Sequence, residues 1–184
     1  MRNINWGNVT ASGDGDFKRL PAGPYVVRIV KMEDVPAKEY VELIFDIAEG
    51  EYANYYSDSW GIAHPWAHHI FLSYKDTALG MLKGRLEAIQ DSNPGFDPFA
   101  AWDAGRFDMF IGRVFGANIQ EEEYKANGVI AVDDDGKRKT RLNVCQVVSA
   151  DKVRNGEVKA KPKKTLPGSD APADAYDGPM PWDK

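Results

Sequence analysis

Aromatic side chains and histidines are concentrated between residues 52 and 74. Planar rings can stack on the bases of a nucleic acid, and each stacked base contributes about 1–3 kcal/mol. Five of these side chains are candidates for stacking: Tyr55, Tyr56, Trp60, Trp66 and Tyr74. We expect Tyr56 and Trp60 to face outward, because the three residues between them are polar. The alternative interpretation is that the rings fill a core or cap the end of a barrel.

The histidines of this stretch could also bind a metal ion. His64 and His68 have the i, i+4 spacing that converges on zinc when the segment is helical. Pro65 interrupts that segment, and no cysteine or third ligand follows closely. A zinc site is therefore not expected.

The acidic stretches offer two further metal interpretations. The turn 133–136 resembles the start of a calcium loop, but Ala131 and Leu142 stand at required ligand positions, which excludes calcium. The acidic run 121–123 would suit a metal-dependent nuclease, although such a run is more often a solvated strand end. The chain has no phosphate-cradling loop and no nucleophile elbow. We therefore predict no catalytic residue, no metal and no cofactor.

Basic side chains supply the second kind of chemistry, attraction to phosphate. Seven are candidates for phosphate contacts: Arg28, Lys31, Arg113, Lys137, Arg138, Lys139 and Arg141. The last four follow the acidic turn 133–136 directly. That arrangement has two interpretations, a solvated hairpin whose charges partly cancel, or a mobile basic β-finger that lies along a phosphate backbone.

Net charge alone does not predict binding to a polyanion. The chain has 23 Lys and Arg against 28 Asp and Glu, a net charge of −5. Residues 1–150 hold 16 basic and 22 acidic residues, which gives −6 for this part. Because salt screens charges beyond about 10 Å, the distribution of the charges matters more than their sum.

The C-terminal third changes sign along its length. Residues 151–164 hold six Lys and Arg against two acidic residues, so 151–167 is interpreted as a basic connector. Residues 168–184 form an acidic segment rich in Pro and Gly, interpreted as a disordered, flexible tail. Its candidate partner-binding residues are Asp174, Tyr176, Asp177, Pro181 and Trp182.

Hydrophobic alternation predicts strands around these side chains. The predicted strands are 25–30, 39–48, 55–60 with its continuation 70–74, 107–119, 129–132 and 141–148. The first two are expected to pair antiparallel, and the turn 133–136 is expected to join the last two.

Apolar residues spaced three and four apart predict one helix over residues 77–90. Asp76 or Thr77 is its expected N-cap, and a brief second helix is expected over 99–104. Strands, one inserted helix and more strands indicate a mainly β domain over residues 1–150, a small Greek-key barrel such as an OB-fold. A two-layer α+β sheet is the alternative.

The chain shows no signal of export. Cys145 is the single cysteine, so disulfides within the chain are excluded and a reducing compartment is expected. No apolar run resembles a signal peptide or a membrane span. These observations predict a soluble, cytoplasmic protein without membrane contact.

Several segments resemble a family of phage proteins with an OB-fold, described in part as single-stranded-DNA-binding proteins. The similarity rests on Phe17 and on the segments Leu20–Tyr25, Phe45–Tyr56, Ile111–Gly116 and Val148–Gly156. This resemblance implies sequence-nonspecific binding and protection of single-stranded DNA in phage replication or recombination. It also implies the cytoplasm of an infected bacterial host.

The tail is similar, more loosely, to the acidic tip of bacterial single-stranded-DNA-binding proteins, which recruits replication and repair enzymes. That tip ends on Pro-Phe, whereas here Asp183 and Lys184 follow Pro181-Trp182. The resemblance implies that the tail recruits replication or recombination proteins, or competes with DNA. The alternative function is a non-catalytic adaptor barrel that binds protein or glycan, and self-association into a homo-oligomer is left open.

Overall fold

The barrel is built from five strands of one antiparallel sheet. The computed structural model describes residues 19–57 and 67–168. The strands are β1 (Gly23–Val35), β2 (Tyr40–Ile47), β3 (His69–Ser73), β4 (Val114–Glu123) and β7 (Thr140–Val148). They follow one another in the order β3-β2-β1-β4-β7 and curl into a nearly closed barrel. This is an OB-fold-like arrangement, a five-stranded and partly open Greek-key barrel, so the predicted fold class is confirmed.

Strand β1 is long enough to pair on both sides. Its first half, Gly23–Arg28, pairs with β4, and the stretch from Val27 to Val35 pairs antiparallel with β2 as predicted. The register with β2 shifts between Ile29 and Lys31, which is a β-bulge that bends the strand. Apolar residues of β1, β2 and β4 alternate with polar ones, and those facing inward form the core.

One helix closes the barrel between β3 and β4. Helix α1 (Leu79–Ser92) buries Leu82, Leu86 and Ile89, three of the four residues whose spacing predicted it, whereas the fourth, Leu79, is exposed. A 3-10 turn, Asp76–Ala78, precedes it, and Ala78 occupies the N-cap position, where no side chain of the described residues caps the helix. The prediction of Asp76 or Thr77 as N-cap is therefore wrong.

The remaining helices are short. Helix α2 (Pro98–Asp103) begins after Asp97, whose carboxylate accepts the backbone N–H groups of Phe99 and Ala100. Helix α3 (Ala150–Arg154) follows β7 directly. Among the described residues, no helix is both long and apolar enough to cross a bilayer.

Two predicted strands are only partly strands. Residues 107–110 form a 3-10 helix instead, and β4 begins at Val114. Tyr55–Ser57 form a helical turn and not a third strand, because the buried carboxylate of Asp46 binds the backbone N–H of Tyr56 at 3.0 Å and the hydroxyl of Ser57. These contacts between distant residues hold the backbone in a turn.

The segment between β4 and β7 contains a small hairpin, β5 (Lys125–Ala126) with β6 (Val129–Ile130). The predicted turn at 133–136 forms, since the N–H of Asp133 binds the carbonyl of Lys137 at 2.8 Å. Across this turn Val132 bridges Arg138, and the N–H of Lys139 binds the carbonyl of Ala131 at 2.8 Å, so the predicted hairpin forms beside the turn. Strand β7, further along, pairs with β4.

After α3 the chain returns to the barrel. Residues 159–168, here called the strap, run beside the end of β4 that extends past β1. Lys164 forms a parallel bridge with Glu122, and two backbone hydrogen bonds of 2.9 Å join Lys164 to Glu121 and Glu123. Much of the segment interpreted as a basic connector is therefore attached to the sheet.

Candidate nucleic-acid interface

Tyr56 belongs to the interior and not to the surface. It is 4% exposed, and its ring stacks on His68 at 4.6 Å between centroids and meets Phe45 edge-on at 5.8 Å. Burial raises the pKa of its hydroxyl. The prediction that Tyr56 faces outward is wrong, because the polar Ser57 beside it turns toward the buried Asp46.

Two other stacking candidates have internal partners. The hydroxyl of Tyr55 accepts the backbone N–H of Leu20 at 3.0 Å, and its ring packs edge-on against Tyr56. The hydroxyl of Tyr74 donates to Asp34 at 3.1 Å. Both side chains are half-buried. Trp60 and Trp66 lie outside the described residues.

Three arginines predicted to contact phosphate are paired with carboxylates. Arg28 lies 3.7 Å from the buried Asp46 and also donates to Asn54. Arg138 and Arg141 bind neighbouring carboxylates of β4 at 3.1 and 2.8 Å. Each guanidinium thus neutralises an acidic residue of the barrel, which reduces its attraction for a polyanion.

The other four predicted cations divide into two groups. Lys31 pairs with Glu33 at 2.6 Å, and Arg113 lies over the ring of Phe96 at 4.5 Å from its centroid. Lys137 and Lys139 are exposed, and their ammonium groups form no ion pair within the described part of the chain. Among the described residues, therefore, Arg113, Lys137 and Lys139 have no carboxylate that compensates their charge.

A pair of aromatic rings faces outward from β2 and β3. Tyr40 and Phe71 meet edge-on with centroids 4.9 Å apart, and Phe71 is 46% exposed. The sequence interpretation did not select either ring. The alternation in β3 was the available signal, because Ile70 and Leu72 on both sides of Phe71 are buried.

The same sheet face carries charged neighbours. Phe71 stands opposite Glu42 in the register, and Glu42 binds the ring of His69 at 2.8 Å. On the adjacent strand Lys31 and Glu33 stand opposite Ile44 and Glu42. The face therefore combines the exposed Phe71 and the half-buried Tyr40 with the Lys31–Glu33 ion pair, and it suits a ligand that has planar groups.

His68, His69 and the acidic run 121–123 have structural partners. Burial, with the neighbouring charge of His69, lowers the pKa of His68 to about 4. Within residues 19–57 and 67–168 no three His, Cys, Asp or Glu side chains are grouped so as to hold a metal ion. His64 lies outside the described residues. The three glutamates at 121–123 bind the basic side chains of Arg19, Arg141, Arg138 and Lys163.

The root of the tail is fixed on the barrel. Arg138 donates to the carbonyl of Leu166 at 3.2 Å and to the carbonyl of Gly168. The backbone N–H of Leu166 binds Glu123 at 3.0 Å. The candidate tail residues lie outside the described residues: Asp174, Tyr176, Asp177, Pro181 and Trp182.

Comparison of the sequence with protein-family models and with curated proteins finds no match.

Proposed function

We propose that the protein binds and protects single-stranded DNA without strong sequence preference, in phage replication or recombination. The observation that supports this proposal is the Tyr40–Phe71 pair on the outer face of β2 and β3. In OB-folds the face of the second and third strands is where oligonucleotides bind. The exposed ring of Phe71, with the half-buried Tyr40 beside it, suits stacking, which every base permits.

Tyr40 and Phe71, the side chains proposed to stack on bases, are not among the stacking residues predicted from the sequence. Phe71 is almost half exposed, whereas Tyr56 is enclosed between Phe45 and His68. A base that slid over Phe71 would also cover part of Tyr40, since the two rings touch. Two adjacent rings on a rigid sheet lose little conformational freedom when a ligand binds.

The acidic tail has a separate role in this proposal. Residues 169–184 hold four Asp and one Lys, and in the sequence they follow Gly168, whose carbonyl accepts a hydrogen bond from Arg138. Their sixteen residues reach at most roughly 55 Å when extended, so the tail can compete with DNA for basic side chains. In the cytoplasm of an infected cell the same tail would recruit replication or recombination proteins through Trp182.

Fluorescence anisotropy with a labelled oligo-dT and a matched duplex tests the proposal. We expect the single strand to bind, the duplex to bind more weakly, and the affinity for the single strand to fall as salt rises through counterion release. Absence of single-strand binding at low salt would overturn the proposal and favour an adaptor barrel.

A further inference from the structure

The strap is the most uniformly basic segment of the described surface. Residues 159–168 contain four lysines and no acidic residue. The lysines are Lys159, Lys161, Lys163 and Lys164, and all four are exposed. The hairpin turn nearby differs in this respect, because Asp133–Asp135 offset its cations.

The backbone of the strap is held at several points along β4. The side-chain amide of Asn118 donates to the carbonyl of Lys159 at 2.9 Å, and that of Gln120 donates to the carbonyl of Pro162 at 2.6 Å. Further along, Lys164 is bridged to Glu122. These bonds fix the path of the strap backbone, while its lysine side chains remain exposed to solvent.

The acidic residues beneath the strap are already compensated. Glu121 binds Arg19, Glu122 binds Arg141, and Glu123 binds Arg138. Of the strap lysines only Lys163 takes part, at 3.4 Å from Glu123. The other three ammonium groups form no ion pair with any residue in 19–57 or 67–168. Their charge is free to act on an external anion.

We propose that the strap is a phosphate-binding track, on which Lys159, Lys161 and Lys164 contact the sugar-phosphate backbone of a single strand. This inference rests on the proposed function and names the cations that it uses. The paired arginines of the barrel give up a carboxylate partner to bind phosphate, whereas these lysines do not. Because the strap is anchored before the ligand arrives, less backbone ordering opposes binding.

The test compares two triple variants that remove the same charge. In one, Lys159, Lys161 and Lys164 are each replaced by Ala; Lys163 is kept because it binds Glu123. In the control, Lys83, Arg106 and Lys152 are each replaced by Ala; all three are exposed and lie outside the strap. Affinity for a labelled oligo-dT is measured as a function of salt for both variants and the wild type.

Each phosphate contact on a single strand contributes about 0.7 to the slope of log affinity against log salt. The strap variant should therefore lose about 2 from the magnitude of this slope, with at least a tenfold loss of affinity at low salt. The control variant should keep its slope within about 0.7 of the wild-type value. Replacing the same three strap lysines by Arg should restore both the slope and the affinity.

The outcomes separate the two proposals. If the wild type binds oligo-dT and the strap variant keeps its slope, the track is overturned and the proposed function stands. If the strap and control variants lose slope equally, the track is also overturned, because only net charge matters. If the wild type does not bind, both proposals fail. Melting temperatures of the variants establish that a loss of binding is not a loss of fold.

Discussion

The guanidinium of Arg138 binds the carboxylate of Glu123 at 3.1 Å, and the Glu123 side chain is 4% exposed. The same carboxylate accepts the backbone N–H of Leu166 and lies 3.4 Å from the ammonium group of Lys163. The N–H of Leu166, followed by the two cations, holds the pKa of Glu123 below its usual value of 4.5. One buried carboxylate thus joins the barrel, the β6–β7 connection and the strap.

Glu123→Gln should lower the melting temperature at pH 7 by about 5 °C, because the amide keeps the shape but leaves two cations without their counter-charge. Because the pKa is depressed in the folded state, the stabilisation is present above pH 4.5 and is lost as the pH falls through the folded value. The control is Glu33→Gln, whose partner Lys31 is solvent-exposed, and it should hardly change the melting temperature. Equal changes in melting temperature for the two variants would show that the buried Glu123 stabilises the fold no more than an exposed ion pair does.

Phe71→Ala should weaken binding of oligo-dT by about 10-fold to 100-fold, which corresponds to the loss of one stacked base. Met81→Ala is the control, since Met81 is 62% exposed and lies on α1. Anisotropy titration at fixed salt measures both variants. If Phe71→Ala bound oligo-dT as tightly as the wild type, the face of β2 and β3 would not be the DNA-binding surface.

Truncation after Gly168 should raise the affinity for oligo-dT several-fold at low salt, because the four Asp of the tail no longer compete for basic side chains. A full-length variant with these four Asp replaced by Asn should show the same increase, which separates charge from chain length. Unchanged or weaker binding in both variants would contradict competition by the tail.

His68 should make the protein less stable in mild acid. Its folded pKa of about 4 lies below the ordinary value of 6.5, with burial as the main cause. The unfolded chain therefore takes up a proton between pH 6.5 and 4, and the folded state loses up to about 1.4 kcal/mol per pH unit in that interval.

The substitution His68→Phe would keep a ring against Tyr56 but remove the titrating group. The difference in unfolding free energy between wild type and His68→Phe, measured with urea at several pH values, isolates the contribution of His68 from those of Asp46 and His69. A difference that does not change from pH 6.5 to 4 would refute the prediction.

Gly116→Ala should lower the free energy of unfolding by about 1–3 kcal/mol. A Cβ at this position would lie 2.7 Å from methyl groups of Val148 and Val153 and 2.9 Å from the carbonyl of Ser149. Gly84→Ala is the matched control, because nothing lies within 4 Å of its Cβ and helix α1 should gain about 0.5–1 kcal/mol. Urea unfolding should move in opposite directions for the two variants.

Sequence patterns were sufficient for the elements whose own periodicity defines them. The alternation in β1 and β2 and the spacing of Leu82, Leu86 and Ile89 gave the correct strands and helix. The prediction that Tyr56 faces outward was wrong because the carboxylate of Asp46, ten residues earlier, holds the backbone of Tyr56 in a turn. The sequence also did not reveal that glutamates of β4 neutralise the charges of Arg138 and Arg141. These partners are 15 and 19 residues apart and meet only after the strands have paired.

The strap also covers an edge of the sheet. Without it, the part of β4 beyond β1 would present unpaired N–H and C=O groups on which another strand could add. The strap forms hydrogen bonds with backbone groups of this edge. The strap itself is a poor partner for a further strand, because Pro162 has no N–H to donate and the lysines on both sides of it repel other cations. The proposed phosphate-binding track would thus also act against aggregation.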